Sequence, residues 1–230
     1  MPSSKTPAGK IDRRLLAAAS FVRRGAVFAD IGTDHAYLPA FLVSSGVVER
    51  AFAADINRGP LDRADENIAL SGLADRIETR LTDGLCGLEG LSITDIAICG
   101  MGGELIARII NDAPWVRDGR VRLILQPMTK AEVLREYLIS HGFRIVDEAL
   151  AESDRVYQII CAEFCGESES YTPLELLLGR HNLERGGALL SSLAETLKRT
   201  LNARIEGKRV SGKEASYEEQ ILEEIKKREL

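Results

Sequence analysis

Residues 28–43 read FADIGTDHAYLPAFLV, an apolar strand-like run and an apolar helix-like run joined by a turn with one glycine, two aspartates and a histidine. A glycine at such a turn allows the backbone to approach a ligand closely. The turn lacks the GxGxxG pattern of dinucleotide sites and the GKS or GKT sequence of phosphate-binding loops. It therefore predicts a ligand site of another kind at the end of a buried strand.

Working outward from this turn, short apolar runs alternate with helical patterns. Strands are predicted at 26–31, 51–56, 76–81, 95–100 and 122–127, and helices follow the first, second, fourth and fifth of them. This alternation indicates a parallel sheet covered by helices on both faces. Two further strands, 143–152 and 156–164, are too close in sequence for a crossover and must pair as an antiparallel hairpin. The prediction is an α/β fold with a mostly parallel sheet and a terminal antiparallel hairpin.

The two ends of the chain predict helices only. Residues 11–23 fit an amphipathic helix with a basic outer face, and Gly25 ends it. Beyond a polar linker, six leucines fit one apolar helical stripe: Leu176, Leu183, Leu190, Leu193, Leu197 and Leu201. We expect a domain over residues 1–165, with the basic helix within 1–25, and a coiled-coil-like helical hairpin over 173–230.

Composition narrows the class of protein. No apolar run approaches the roughly 20 residues that span a bilayer, and no apolar stretch follows the basic residues at the N-terminus. The four cysteines form no CxxC pair, and the three histidines show no metal-ligand spacing. We expect a cytoplasmic protein with reduced thiols, no membrane segment and no metal site; the oligomeric state is left open.

Positive charge is concentrated in two segments of a chain whose net charge is −5. Residues 1–25 and residues 198–213 each carry six basic residues against one acidic residue. Two such patches on an acidic chain suit a polyanion such as nucleic acid. Charge alone equally allows two solvated helix faces.

Ligands of a doubly wound sheet bind outside the carboxyl ends of its strands. In this chain those ends carry glycines and polar residues: Asp30, Gly32, Asp34 and His35 after the first strand, Asp55 after the second, Asp83 and Gly84 after the third, Gly100 and Met101 of a GMGG run after the fourth, and Gln126 at the fifth.

These residue types suit a nucleoside with a cationic tail. Asp55 lies 25 residues beyond Asp30, roughly the spacing at which an acid meets ribose hydroxyls. Asp83 can accept a hydrogen bond from an adenine amine, whereas Asp30 and Asp34 suit an ammonium or sulfonium group and repel a pyrophosphate. The pattern favours S-adenosylmethionine over NAD or ATP.

Structural roles are the alternatives for several of these residues. Asp55 is also suited to cap a helix, and Asp83 to form a turn before Gly84. His35 is as readily a hydrogen-bonding core residue as a site residue, and Met101 is equally suited to be an apolar plug.

Six segments carry a resemblance to a known family: DIGTDHAYLP, AADINRGP, TDGL, ICGMGGELI, RLILQP and VYQIICAEF. They resemble the bacterial tRNA (adenine-N1)-methyltransferase TrmK family, over nearly the whole chain. The resemblance implies a class I, Rossmann-like methyltransferase with a C-terminal coiled-coil-like helical domain, which methylates N1 of adenosine 22 of tRNA with S-adenosylmethionine.

The resemblance also implies site residues. The cofactor positions would be Asp30, Gly32, His35, Asp55, Asp83, Gly84, Gly100 and Met101. The chain departs from the family pattern at Met128, where an asparagine follows the QP of strand five, and at Asp55, where glutamate is common. The change at Asp55 keeps the carboxylate, whereas Met128 removes a polar group near the expected substrate pocket.

Methyl transfer to N1 of adenine depends mainly on positioning, since N1 has a lone pair at neutral pH. A paired target must be turned out of the helix into a pocket, and we expect the GMGG loop to form the floor of that pocket. Tyr37 and Gln126 are candidates for contacting the base, and Asp34 for relieving its developing positive charge. The tRNA phosphates would be held by basic residues of both ends: Arg13, Arg14, Arg23, Arg24, Lys198, Arg199, Arg204, Lys208 and Arg209.

Other functions are left open by the residues. One is a methyltransferase for another RNA or a small molecule, and another is a catalytically silent RNA-binding module with the same fold. An NAD-dependent oxidoreductase is disfavoured, because acids occupy the place of its glycine fingerprint.

Overall fold

One seven-stranded sheet lies at the centre of the described chain, residues 11–230 of a computed structural model. Lys5 and Lys10 of the basic N-terminal segment lie outside the described residues. The strands are β1 (Val27–Ile31), β2 (Arg50–Asp55), β3 (Ile77–Leu81), β4 (Asp95–Gly102), β5 (Arg122–Thr129), β6 (Phe143–Glu152) and β7 (Val156–Phe164). The helices are α1 (Arg13–Ala19), α2 (Tyr37–Ser44), α3 (Arg58–Leu70), α4 (Gly103–Asn111), α5 (Ala131–Ser140), α6 (Pro173–Leu178), α7 (Arg180–Arg185), α8 (Ala188–Val210) and α9 (Ser216–Lys227).

The sheet has the order β3-β2-β1-β4-β5-β7-β6. The first five strands are parallel, and β7 pairs antiparallel with both β5 and β6. The predicted fold class is therefore confirmed, and each predicted strand lies within two residues of the observed one. A bulge at Met101 lengthens β4 beyond the prediction.

Both faces of the sheet are covered, as nearly continuous apolar strands require. Successive residues of β5 point to opposite faces. Leu123 and Leu125 belong to one buried cluster with Ile106 of α4, while Ile124 belongs to a second cluster with Leu42 of α2. Helices α4 and α5 cover the first face, and α1 and α2 cover the second.

The C-terminal segment differs from its prediction. Instead of one leucine stripe along a continuous helix, glycines divide residues 173–210 into three helices. Gly179 ends α6 with a φ of +91°, and Gly186 and Gly187, both with positive φ, separate α7 from α8. Helices α8 and α9 then form an antiparallel hairpin. The leucine spacing alone did not reveal these breaks, because glycines interrupt a helix without changing the periodicity around them.

A fully buried ion pair connects the short helices to the sheet. Arg135 of α5 and Glu148 of β6 are both completely inaccessible, with 2.7 Å between Arg135 Nε and Glu148 Oε1. Arg135 also donates to the carbonyl of Leu176, and Glu148 accepts from the backbone N–H of His181. A Cβ at Gly179 would lie 2.5 Å from both Glu148 carboxylate oxygens, so this position requires glycine. The pair thus holds α6 and α7 against the last strand of the sheet.

Neither a membrane-spanning helix nor a metal site was expected from the sequence. Across residues 11–230, no helix is long and apolar enough to cross a bilayer. The same residues contain no cluster of histidine, cysteine and acidic side chains suited to a metal ion. All four cysteines are free thiols.

The buried pair generates a stability prediction. Glu148→Ala leaves the Arg135 guanidinium buried without a counter-charge, and we expect it to lower the free energy of unfolding by about 3–5 kcal/mol. Urea unfolding followed by circular dichroism measures this loss. The control is Asp62→Ala, which breaks the exposed Arg58–Asp62 pair of α3 and should leave the midpoint near that of the parent chain. An equally small shift for Glu148→Ala would contradict the proposed importance of the pair.

Candidate active site

A cavity of about 400 Å³ opens where the strand order reverses, between β1 and β4. Such a switch point is the expected ligand crevice of an open α/β sheet. The lining residues come from α1, the turn after β1, the start of α2 and the end of β4: Asp12, Arg14, Leu15, Asp30, Gly32, Thr33, Asp34, His35, Tyr37, Leu38, Cys99 and Gly100. The fold therefore brings together six of the predicted site residues, together with Arg14, which sequence reasoning assigned to RNA.

Asp30 is the buried carboxylate of this cavity. Its Oδ2 accepts a hydrogen bond of 2.7 Å from the Thr33 hydroxyl. Burial removes water from the charged form and raises the pKa of Asp30 to about 6, although the Thr33 hydrogen bond and the positive charge of Arg14 oppose the rise. A nearby cation would favour the ionised form, so the site is suited to a positively charged ligand.

The side chain of Met101 lies against the turn after β1. Gly32 has a φ of +76°, and a Cβ there would lie 2.3 Å from the terminal methyl group of Met101. The left-handed backbone is what requires glycine here, because the Met101 methyl group ends a flexible side chain that can move aside. Met101 fills the space above it, as its alternative role of an apolar plug predicted.

The other turn residues lie at the rim of the cavity. Asp34 is largely exposed and forms a 2.5 Å ion pair with Arg63 of α3. The rings of His35 and Tyr37 are stacked, with 5.1 Å between their centroids. Asp34 and Ala36 both adopt left-handed backbone conformations, with φ of 47° and 53°, a strain typical of ligand-binding turns.

The acids after β2 and β3 lie apart from this cavity lining. Asp55 Oδ1 accepts from the backbone N–H of Asn57, and Asn57 rather than Asp55 is the cap residue of α3. The capping alternative for Asp55 is therefore wrong. Asp83 and Gly84 line a separate cavity of about 460 Å³ with Arg108 and Ile109.

Arg14 and Gln126 form a pair that the sequence reasoning missed. Arg14 Nη1 donates to Gln126 Oε1 at 2.5 Å, and the same oxygen accepts from the backbone N–H of Gly100 at 3.1 Å. Gln126 is completely buried, and its amide nitrogen donates to the carbonyl of Pro127. The prediction that Gln126 contacts the base therefore needs correction, since its polar atoms already hold Arg14 and the end of β4. The signal was present in the sequence as a buried amide in an otherwise apolar strand.

The GMGG run also has a structural explanation. Gly100 has a φ of +82° and lines the cavity. A Cβ at Gly103 would lie 2.2 Å from the Lys130 carbonyl oxygen, so the backbone between β5 and α5 occupies the space there. The expectation of a flat ligand floor over the whole run is thus limited to its first glycine.

The predicted RNA-binding residues fall into two groups. In the first group the structure engages the side chain elsewhere: Arg14 points into the cavity, Arg23 binds the fully buried Asp95 at 2.7 Å, Lys198 pairs with Glu195, Lys208 pairs with Glu218 at 2.7 Å, and Arg209 pairs with Glu219 at 2.9 Å. For Arg14 and Arg23 this corrects the prediction of a basic outer face. In the second group, Arg13, Arg24, Arg199 and Arg204 are exposed, and none has a carboxylate partner within the described range.

Comparisons with known proteins identify relatives of this chain. A family described as a methyltransferase domain matches residues 11–160. The tRNA (adenine(22)-N(1))-methyltransferase of Bacillus subtilis is 37% identical over 171 residues, which cover 74% of this chain and 72% of that protein.

Solved structures extend the similarity to the C-terminal helices. A Streptococcus pneumoniae protein in complex with S-adenosyl-L-methionine has a TM-score of 0.84 and 32% identity, covering 94% of this chain and 99% of that one. TrmK of M. capricolum, in complex with S-adenosyl-homocysteine, has a TM-score of 0.76 and 27% identity, covering 95% and 96% of the two chains.

The raised pKa of Asp30 predicts a pH dependence of stability. The folded state keeps the Asp30 proton up to about pH 6, whereas the unfolded chain loses it near the ordinary pKa of 3.8. Asp30 therefore contributes to stability below about pH 4, and this contribution is lost as the pH rises through about 6. Asp30→Asn lacks this dependence, so its stability relative to the parent chain should increase between pH 4 and pH 7, by up to about 3 kcal/mol. Urea unfolding of both chains across this range measures the difference.

Asp118→Asn is the control for this experiment. The hydrogen bonds from Arg120 lower the pKa of Asp118 to about 2, so its contribution has the opposite sign and is lost only as the pH falls below about 4. A stability difference between Asp30→Asn and the parent chain that stays constant from pH 4 to pH 7 would refute the assignment.

Proposed function

The chain belongs to the family of tRNA (adenine(22)-N1)-methyltransferases, and we propose that it transfers a methyl group from S-adenosylmethionine to N1 of adenosine 22 of tRNA. The observation that carries the proposal is the cavity at the strand switch point, lined by acids and one arginine instead of a phosphate-binding glycine loop, in a chain 37% identical to such an enzyme. We further propose that residues 1–165 perform the transfer and that residues 173–230 help to hold the tRNA.

The side chains of the cavity suit both charges of the amino-acid tail of S-adenosylmethionine. Asp30 and Asp34 offer carboxylates to the ammonium and sulfonium groups, and Arg14 offers a guanidinium to the carboxylate. Gln126 keeps Arg14 in this position through its 2.5 Å hydrogen bond. A purely acidic site would attract the cations but repel the carboxylate, so Arg14 makes the cavity specific for a zwitterion.

The nucleoside part would be held by the neighbouring strand ends. Asp55 is partly exposed and receives one hydrogen bond within the chain, from the backbone of Asn57, which leaves acceptor capacity for two ribose hydroxyls. Asp83 is exposed and is our candidate for the adenine amine. His35, Gly84, Gly100 and Met101 remain proposed cofactor contacts on the basis of the resemblance.

S-adenosylmethionine supplies a methyl group bonded to a positively charged sulfur. The target N1 needs no deprotonation before it reacts. The main task of the pocket is therefore to hold the N1 lone pair in line with the methyl carbon. The stacked rings of His35 and Tyr37 offer a flat surface at the rim against which the turned-out adenine can rest. Methylation leaves a positive charge on the base, and the exposed carboxylate of Asp34 is suited to offset it.

The exposed basic side chains are suited to bind the proposed tRNA substrate. We propose that Arg13 on α1, Arg24 before β1, and Arg199 and Arg204 on α8 contact tRNA phosphates, because none of the four has a carboxylate within 4.0 Å among residues 11–230. Such contacts hold the RNA without reading its sequence. Lys198, Lys208 and Arg209 remain secondary candidates, since each must first release an acidic neighbour.

The central test is the product itself. Purified protein incubated with S-adenosylmethionine and an unmodified tRNA transcript should yield 1-methyladenosine, detected by nucleoside mass spectrometry. A transcript with guanosine at position 22 should yield none, because the target nitrogen of guanine carries a proton. The protein control is Asp55→Ala, which removes the proposed ribose contact but no buried group. Absence of 1-methyladenosine with the parent chain, or unchanged yield with guanosine at position 22, would overturn the proposed function.

The exposed arginines of α8 generate a separate prediction. Reversing both charges, Arg199→Glu with Arg204→Glu, should weaken tRNA binding and flatten its dependence on salt by about two phosphate contacts, with cofactor affinity unchanged. Filter binding at several salt concentrations measures the slope. Arg50→Glu, an exposed position at the amino end of β2, is the matched control. A slope equal to that of the parent chain would exclude these arginines from the RNA surface.

A further inference from the structure

A second cleft of about 250 Å³ lies between the catalytic sheet and α8. Its lining combines the end of β5, the start of α5, the β6–β7 turn and two residues of α8: Pro127, Met128, Thr129, Lys130, Ala131, Glu132, Arg155, Val156, Tyr157, Gln158, Leu193 and Thr196. None of the residues assigned above to the cofactor or to the base lines this cleft. We propose that it is a subsite for RNA, binding a backbone phosphate beside the nucleotide that is turned into the active site; this inference rests on the proposed function.

The first support is the continuity between the cleft and the cofactor cavity. Tyr157 lines the cleft, and its ring contacts a guanidinium from each compartment. Arg14 of the cavity has its Cζ 5.7 Å from the ring centroid, and Arg155 of the cleft has its Cζ 4.8 Å from it. Strand β5 makes a second connection, because Gln126 binds Arg14 while the next two residues line the cleft. The cleft and the cavity are therefore adjacent, close enough for one RNA strand to contact both.

The second support is the charge that the cleft presents. Arg155 is exposed, donates to the Met128 carbonyl at 2.9 Å, and has no carboxylate within 4.0 Å among the described residues. Lys130 adds a second positive charge, partly offset by Glu104. Glu132 in the lining, Glu104 beside Lys130 and Asp154 next to Arg155 offset the net charge, so the attraction for an anion depends on Arg155, whose guanidinium has no carboxylate within 4.0 Å among the described residues. A guanidinium fixed by a carbonyl and an aromatic ring still has donors for a phosphate.

The third support is the helix that begins at the cleft. Lys130, the cap residue of α5, has a left-handed backbone and makes no capping hydrogen bond with its side chain. Lys130 therefore leaves the first backbone N–H groups of the ten-residue α5 without a side-chain cap, and this end of the helix, which carries Glu132 in its first turn, lines the same cleft as Arg155. Arginine, lysine and a helix N-terminus together favour an anion over the base of a nucleotide.

Helix α8 closes the cleft on the side away from the sheet. Leu193 and Thr196 are its contributions, and Thr196 is exposed at the opening. The subsite therefore exists only while the C-terminal helices are held against the sheet. Displacing α8 would accordingly weaken the binding of tRNA and leave the cofactor cavity intact.

Filling the cleft tests the proposal. Thr196→Trp places a large ring in the opening, and we expect kcat/KM for tRNA to fall about tenfold or more, mainly through KM. Thr196→Val is the matched control, since it removes the same hydroxyl and its hydrogen bonds without filling the space. Affinity for S-adenosylmethionine, measured by calorimetry, should be unchanged in both. Equal tRNA kinetics for the two variants would overturn the proposal.

Arg155→Ala provides an independent measurement that requires no turnover. Losing one phosphate contact should reduce the slope of log affinity against log salt by about one and weaken tRNA binding about tenfold. Arg50→Ala is the control. An unchanged slope overturns the subsite even if Thr196→Trp fails to fold. Because tRNA affinity is measured without methylation, failure of the subsite remains distinct from failure of the proposed activity, which the 1-methyladenosine assay reports with the parent chain.

Discussion

The arrangement of the two parts of this protein depends on the buried ion pair between Arg135 and Glu148. Both side chains are completely inaccessible, and two of the hydrogen bonds that compensate their desolvation reach the helices that follow the sheet, while Gln158 of β7 accepts a third from Arg135. Arg135 reaches the Leu176 carbonyl of α6, while Glu148 receives the N–H of His181 in α7. A buried pair of this kind tolerates little displacement, because either charge left alone would be strongly destabilising. Rigid attachment of the C-terminal helices is therefore a direct consequence of burying these two charges.

The active-site turn shows a comparable constraint at smaller scale. The Met101 methyl group fills the space above Gly32, and the buried Asp30 receives the Thr33 hydroxyl beneath the turn. Two non-glycine residues of this turn, Asp34 and Ala36, adopt left-handed conformations that cost energy. Packing from β4 and α3 compensates this strain and presents His35 and Tyr37 at the rim. The geometry of the turn is thus determined before any ligand binds, as positional catalysis requires.

The sequence allowed the sheet to be predicted because its strands are apolar runs separated by clear turn residues. The position of the acids at the carboxyl edge of the sheet was also predictable, but their division between the cavity with Asp30 and the separate cavity with Asp83 was not. The directions in which individual arginine side chains point could not be predicted from the sequence. Arg13 and Arg14 are neighbours on α1, yet one is exposed and the other enters the cavity to meet Gln126. That difference depends on how α1 is rotated against the sheet, which the charges of the helix do not encode. The breaks at Gly179 and Gly186 were missed for a related reason, because Gly179 is required by a contact with Glu148 from a distant strand.

The buried amide of Gln126 connects the cavity that Arg14 lines with the cleft that Arg155 lines. Its carbonyl oxygen holds Arg14 and the backbone of Gly100, so the end of β4 and the start of the chain are positioned by the same atom. Its amide nitrogen binds the carbonyl of Pro127, and Met128 beyond it fixes Arg155 through its own carbonyl. A shift of β5 at this point would therefore move Arg14 in the cavity and Arg155 in the cleft together. A buried group with all its hydrogen bonds satisfied resists such a shift, because any movement leaves a polar atom unpaired in an apolar surrounding. We infer that the hydrogen bonds of this one side chain set the distance between the cavity beside β1 and the cleft beside α8.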